Sequence, residues 1–200
     1  HLEWLGKLSS RSLQLEITPK LVAKSTFAGT IPQTPKKISD FSLKAAEAFA
    51  SPSIAEVAHI DLLMGYRDGP VGKTLQETLA NPRVGHEPQL VRFGSRPVKP
   101  DTLLVPTVTI RNERQAELMY VHAMSGVGKA IVDSVEDGLL PKDALEELVM
   151  IANVFVHPTA SNPKRVTINN YKAMVWAIRR ALEARPTLEE LMERKESARH

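Results

Sequence analysis

Glu56-Val57-Ala58-His59-Ile60-Asp61-Leu62-Leu63-Met64-Gly65 reads as a strand with two unlike faces. Successive side chains of a pleated strand point to opposite sides. Ala58, Ile60, Leu62 and Met64 therefore make one wholly apolar face, and Val57, His59, Asp61 and Leu63 make the other. The apolar face is the core side. The opposite face carries an imidazole and a carboxylate roughly 7 Å apart along the strand, a spacing that suits a site. A half-exposed strand whose outer face is merely polar would read the same way, so this stretch decides the fold before it decides the function.

Working outward from it, the chain becomes regular from Phe41. The pattern predicts strands over 42–49 and 56–64, then a helix over 71–80 that closes at Asn81-Pro82. Further strands are expected over 89–94 and 103–110, where Pro106 implies an edge position or a bulge. Helices follow over 113–120 and 125–137, the second carrying Val127, Ile131 and Val135 on one stripe and ending at Asp137-Gly138. A short helix over 142–148 and an apolar strand over 148–157 precede a polar loop over 158–167. The clearest helix comes next, with Tyr171, Met174, Val175, Ile178 and Leu182 on one face, and a polar helix over 187–195 ends the chain. The connections at 49–56 and 94–103 lack a helix, so the strands they join are expected to be antiparallel. The fold class is α+β: a mainly antiparallel sheet with helices packed on one face, leaving the other free for a ligand or another subunit.

Residues 1–40 differ from the rest, and the chain divides into an N-terminal basic extension over 1–40 and a domain over 41–200. The extension contains the Pro- and Lys-rich connector Thr30-Ile31-Pro32-Gln33-Thr34-Pro35-Lys36-Lys37, and it starts at His1, which reads as a fragment with a leader. Leu13, Leu15, Ile17, Leu21 and Val22 alternate weakly there, which leaves a short strand or a partner-binding tail open. The net charge of +3 sits in this extension: it holds six Lys/Arg against three Asp/Glu, leaving twenty of each sign in residues 41–200. A neutral domain with few aromatics lacks the stacking-plus-phosphate signature of a nucleic-acid binder. No apolar run approaches the ~18 residues of a membrane span. Cysteine is absent, which removes disulfides, thiol nucleophiles and thiolate metal sites and fits a cytoplasmic protein.

Three local motifs are weighed against plainer explanations. Arg67-Asp68-Gly69-Pro70-Val71-Gly72-Lys73-Thr74 ends like a phosphate loop, but Arg67 stands where its first glycine belongs. A phosphate-binding module through Gly69–Thr74 competes with a Gly/Pro turn into an amphipathic helix. Gly126-Val127-Gly128-Lys129-Ala130 reads as a close-packed helix start, and Met124-Ser125-Gly126 lacks the preceding glycine of a nucleophile elbow. The histidines never pair at metal-ligand spacing, so no metal site is expected.

The ordered set EVAHIDLLMG, KPDTLLVPTVTI (Lys99 to Ile110), RQAELM (Arg114 to Met119), EDGLLP (Glu136 to Pro141), VFVHP (Val154 to Pro158) and the closing ERKESARH is similar to the formaldehyde-activating enzyme family from about residue 41 to the end. The resemblance implies a carbon–oxygen lyase that condenses formaldehyde with tetrahydromethanopterin, giving the methylene adduct and water in one-carbon metabolism of methylotrophs and methanogens. It also implies a fold like the second domain of ribosomal S5 and a homopentamer with the pterin between neighbours. His59 falls on the family's catalytic histidine. Asp61, Leu90 and Thr109 fall on pterin contacts, Leu90 after a one-residue gap. Thr107 stands in place of a pterin-binding lysine and Met124 in place of a glutamine, with His122 two residues away. Each lost hydrogen bond costs about 1 kcal/mol, so a divergent pterin-binding or sensing paralogue stays open. The chemistry fits the residues: an imidazole can give up the proton with which a carbinolamine hydroxyl leaves as water. Asp61 can accept from ring N–H groups, and Thr107 and Thr109 present hydroxyls.

Overall fold

The computed structural model describes residues 41–52 and 54–194. The extension over 1–40, with its connector and weakly alternating apolar residues, lies outside them, as does 195–200. Strands β1 (Lys44–Ala50), β2 (Ala58–Tyr66), β3 (Gln89–Leu90), β6 (Asp101–Pro106) and β7 (Leu148–Val156) form one sheet in the order β1-β2-β7-β6-β3. The pairs β1–β2, β2–β7 and β6–β3 are antiparallel, and β6–β7 is parallel. Two short strands, β4 (Arg92–Phe93) and β5 (Arg96–Pro97), make a separate hairpin. The fold is α+β with a mostly antiparallel sheet.

Alternation in β2 is as the sequence requires: Ala58, Ile60, Leu62 and Met64 are buried, while His59, Asp61 and Leu63 are half-buried. The buried face joins Met150, Ala152 and Val154 of β7 and Leu104 of β6. The main helical layer covers it. Helix α3 (Met124–Glu136) brings Val127, Ala130 and Ile131, and α4 (Pro163–Glu183) brings Ala173, Met174, Ala177 and Ile178. Each large aliphatic side chain removed from water contributes about 1.5–3 kcal/mol. A one-residue slip of β2 would exchange this set for His59 and Asp61, so burial fixes the register.

α4 starts at Asn162, whose side chain accepts from the Arg165 N–H at 3.1 Å. Against it α3 approaches closely: a Cβ on Gly126 would lie 2.3 Å from the Thr167 carbonyl oxygen. Gly126 is thus a close helix contact, and Gly128 makes room for the backbone of β4, where a Cβ would lie 2.6 Å from the Arg92 carbonyl oxygen. α2 (Glu113–Glu117) runs through a π-helical segment, Leu118–Ala123, straight into α3, so the two helices expected over 113–120 and 125–137 are one continuous helical run.

On the second face α1 (Pro70–Ala80) packs Val71 and Leu75 onto Leu103, Val149 and Ile151, with Leu63 and Val105 alongside. This cover is partial. It explains why the first residues of β7 are apolar on both sides: that strand is central and is sandwiched there between two layers. The α1 entrance also settles the phosphate-loop motif. A Cβ on Gly72 would lie 1.7 Å from the Arg67 carbonyl oxygen, Lys73 pairs with Glu77 at 3.9 Å, and the Thr74 hydroxyl donates to the Pro70 carbonyl. The motif is a tight turn into a helix.

Smaller departures have local causes. The strand expected over 89–94 breaks at buried Val91, whose N–H reaches the Thr102 carbonyl. The strand expected to reach 110 ends at Pro106, beyond the last residue paired with β3. The helix expected over 142–148 is a single turn, Lys142–Ala144, because β7 already begins at Leu148.

Candidate active site

Pairing registers assemble the site on the half of the second face that α1 leaves open. Glu47, Asp61, Asn153 and Val105 are consecutive partners across β1, β2, β7 and β6. In the neighbouring row Phe49, His59 and Phe155 are partners. Directly opposed residues share a face, so these side chains meet.

The His59 ring lies flat on Phe49, with centroids 3.9 Å apart and planes 9° from parallel. Its Nε2 is 3.1 Å from Asp61 Oδ1 and 3.3 Å from Glu47 Oε2. A carboxylate can only accept, so the tautomer that bonds Glu47 is the one with its proton on Nε2. The ring is held in plane by the stack and in rotation by two carboxylates, yet the His59 side chain is 27 % exposed, Asp61 46 % and Glu47 63 %. It is fixed and reachable at once. The same three side chains offer ligand atoms within 4.8 Å of one another and could hold a cation, an arrangement that spacing along the sequence conceals.

Beside the two rows opens a cleft of about 540 Å³ between α1 and the 81–88 loop. Asn153, Val105 and Thr107 form its floor and Thr78, Arg83 and His86 line its walls, while Glu47, His59 and Asp61 lie outside this lining, on the adjoining part of the sheet. His86 ties the loop to the sheet: Nδ1 donates to the Pro106 carbonyl at 2.8 Å, which leaves Nε2 to accept from the Thr109 hydroxyl at 2.9 Å. Tyr120 donates its hydroxyl to the Glu87 carbonyl at 2.9 Å, and burial followed by the Glu87 charge pushes its pKa up to about 12.

The residues singled out in the sequence do not all converge within one chain. His59, Asp61 and Thr107 share the open face. The Thr107 hydroxyl also donates to the Val154 carbonyl at 3.3 Å. Thr109 is spent on His86, and Leu90, 39 % exposed, sits on edge strand β3 opposite Leu103. Met124 is 6 % exposed within the core beneath the opposite face, where a thioether packs better than an amide. His122 belongs to that helical layer too, 3.7 Å from Glu117. Glu47, Phe49 and Asn153 share the open face with His59 and Asp61, and sequence reasoning did not single them out. The signal was a pairing of 42–49 with 56–64, whose register the sequence leaves free.

The fold and site define an α+β protein with an imidazole beside two carboxylates on an open sheet face and a ligand-sized cleft on the adjoining part of that face. The model of the family described as formaldehyde-activating enzyme (Fae) matches residues 45–200. The chain belongs to the formaldehyde-activating enzyme family. It is 45 % identical over 146 residues to the 5,6,7,8-tetrahydromethanopterin hydro-lyase of Methanosarcina barkeri, covering 72 % of this chain and 82 % of that protein. It is also 42 % identical over 147 residues to the bifunctional enzyme Fae/Hps of Methanosarcina mazei, and 38 % identical over 146 residues to that of Archaeoglobus fulgidus. These matches cover 73 % and 72 % of this chain, but only 38 % and 37 % of the bifunctional proteins' own length. Among the described residues no helix is long and apolar enough to cross a membrane.

Proposed function

We propose that residues 41–200 form a hydro-lyase that condenses formaldehyde with tetrahydromethanopterin to the methylene adduct and water, with residues 1–40 as an appended extension. The observation that carries this reading is His59, held by Glu47 and Asp61 and stacked on Phe49 on the open sheet face, one pairing row from cleft-lining Asn153, in a chain of this family. One pterin nitrogen adds to the formaldehyde carbon and gives a carbinolamine. His59 donates a proton to its hydroxyl, which leaves as water, and the C–O bond breaks. The second nitrogen attacks the resulting iminium carbon and releases its proton, which returns to the imidazole. Because Nε2 is engaged by carboxylates, Nδ1 is the position that exchanges protons with substrate. Acid catalysis of this kind is worth roughly 10²–10⁴-fold. Holding both nitrogens near the carbon supplies the rest.

Asp61 accepts from the pterin ring and Thr107 offers a hydroxyl from β6. In this proposal the protein is a cytoplasmic homopentamer, with the pterin at the seam between copies. Leu90 and Thr109 then approach it from the neighbouring copy.

Stopped-flow measurement of methylene-tetrahydromethanopterin formation tests the reading. A rate above the spontaneous one is expected, and His59→Ala is expected to remove the excess. Binding without any excess rate in folded wild-type protein would overturn it. The imidazole is a proton carrier here, so dialysis against EDTA is expected to leave the rate unchanged. A loss that divalent cations restore would instead assign Glu47, His59 and Asp61 to a metal.

A further inference from the structure

Strand β7, Leu-Val-Met-Ile-Ala-Asn-Val-Phe-Val, contains one polar side chain, Asn153, in its interior. Asparagine is disfavoured inside strands, and a half-buried amide needs partners to offset its lost hydration. Every other asparagine among the described residues has one. Asn81, Asn112, Asn162, Asn169 and Asn170 each bond to backbone through their side chains. Asn153 makes no such bond. Its side chain instead faces the cleft, between Asp61 on one side and Val105 on the other.

We infer that Asn153 is a positioning residue for the pterin, recognising the ring's amide edge. This rests on the function proposed above. A carboxamide carries a donor and an acceptor side by side, so it pairs with a lactam N–H and C=O in two parallel hydrogen bonds. Asp61, an acceptor only, stands directly next to it for a further ring N–H. Asn153 and Asp61 would thereby set the ring's orientation in the cleft while His59, one row along, meets the reacting nitrogens.

The test compares wild type, Asn153→Ala and Asn153→Asp by steady-state kinetics, by calorimetric titration with tetrahydromethanopterin and by thermal unfolding. Asn153→Ala is expected to raise KM and the calorimetric Kd for the pterin about tenfold with kcat within about twofold. The melting temperature should stay within about 2 °C, since no internal bond is lost. Asn153→Asp keeps the shape but not the donor and is expected to weaken binding as well. An unchanged Kd in Asn153→Ala, or a loss explained by a lowered melting temperature, would overturn the inference. Calorimetry separates the two proposals: wild type that binds in an Asn153-dependent way without turnover sinks the lyase and leaves the residue's role standing. Wild type that does not bind at all sinks both.

Discussion

Glu47 is the residue that distinguishes a held imidazole from a free one. Its carboxylate and that of Asp61 converge on a single nitrogen from neighbouring strands, so ring rotation would break the hydrogen bond to Glu47 and the close charge contact with Asp61 together. Glu47 is well exposed, which discounts its energetic weight, and its contribution is to orientation. Glu47→Ala is expected to lower kcat about threefold to tenfold with little change in pterin KM, read by the stopped-flow assay. His59 and Asp61 were legible in the sequence because a period of two is visible in one strand. Glu47 and Phe49 were not, because their meeting with β2 depends on how many residues the 51–57 turn consumes. Asn153 was hidden in a strand whose apolar run drew attention to packing.

Two contacts between elements decide whether the site keeps its shape. Glu56, buried just ahead of β2, accepts from the N–H groups of Ser161 and Asn162 at the start of α4, each at 3.1 Å. These backbone donors, Ser161 first, hold its carboxyl below the usual value of 4.5 although burial pushes the other way. A group depressed on folding stabilises the fold above its unfolded pKa, and that stabilisation is lost as pH falls through the lower folded value. Glu56→Gln is therefore expected to melt below wild type at pH 7, with the gap narrowing as the pH drops from 4.5 downwards. Melting curves across pH check this. The second contact is Tyr120, which pins the 81–88 wall of the cleft. Removing its hydroxyl in Tyr120→Phe forfeits about 1 kcal/mol, so pterin KM is expected to rise about fivefold while kcat holds. Raised to about 12, Tyr120 stabilises the fold below its ordinary value of 10.0, and this support fades as pH climbs between the two. At this scale the helices were legible from their stripes. The joining of α2 to α3 was not, since a π-helical segment leaves no period of its own in the sequence.

The sheet packs the larger core on one face, and on the other it holds the smaller α1 cluster and leaves the His59 side open. Ile60 is fully buried in the larger core, so Ile60→Ala is expected to cost about 2–5 kcal/mol in urea unfolding. Leu75, at the rim of the smaller α1 cluster, should cost less on the same change, because its surroundings can close over the gap. The α+β class was readable because helix-free connections force neighbouring strands to run in opposite directions. The parallel β6–β7 pair escaped the pattern because β6 and β7 are joined across the whole helical run from Glu113 to Glu136. The Phe49 plate under His59 has one more consequence. A benzene ring stacked face to face at 3.9 Å shields the carbon-bound protons above it, so the His59 resonances should be displaced upfield in a proton NMR spectrum. Phe49→Leu would return them to ordinary positions, and any molecule that tilts the imidazole would announce itself by the same movement. The protein thus carries a magnetic reporter on the very group assigned to proton transfer.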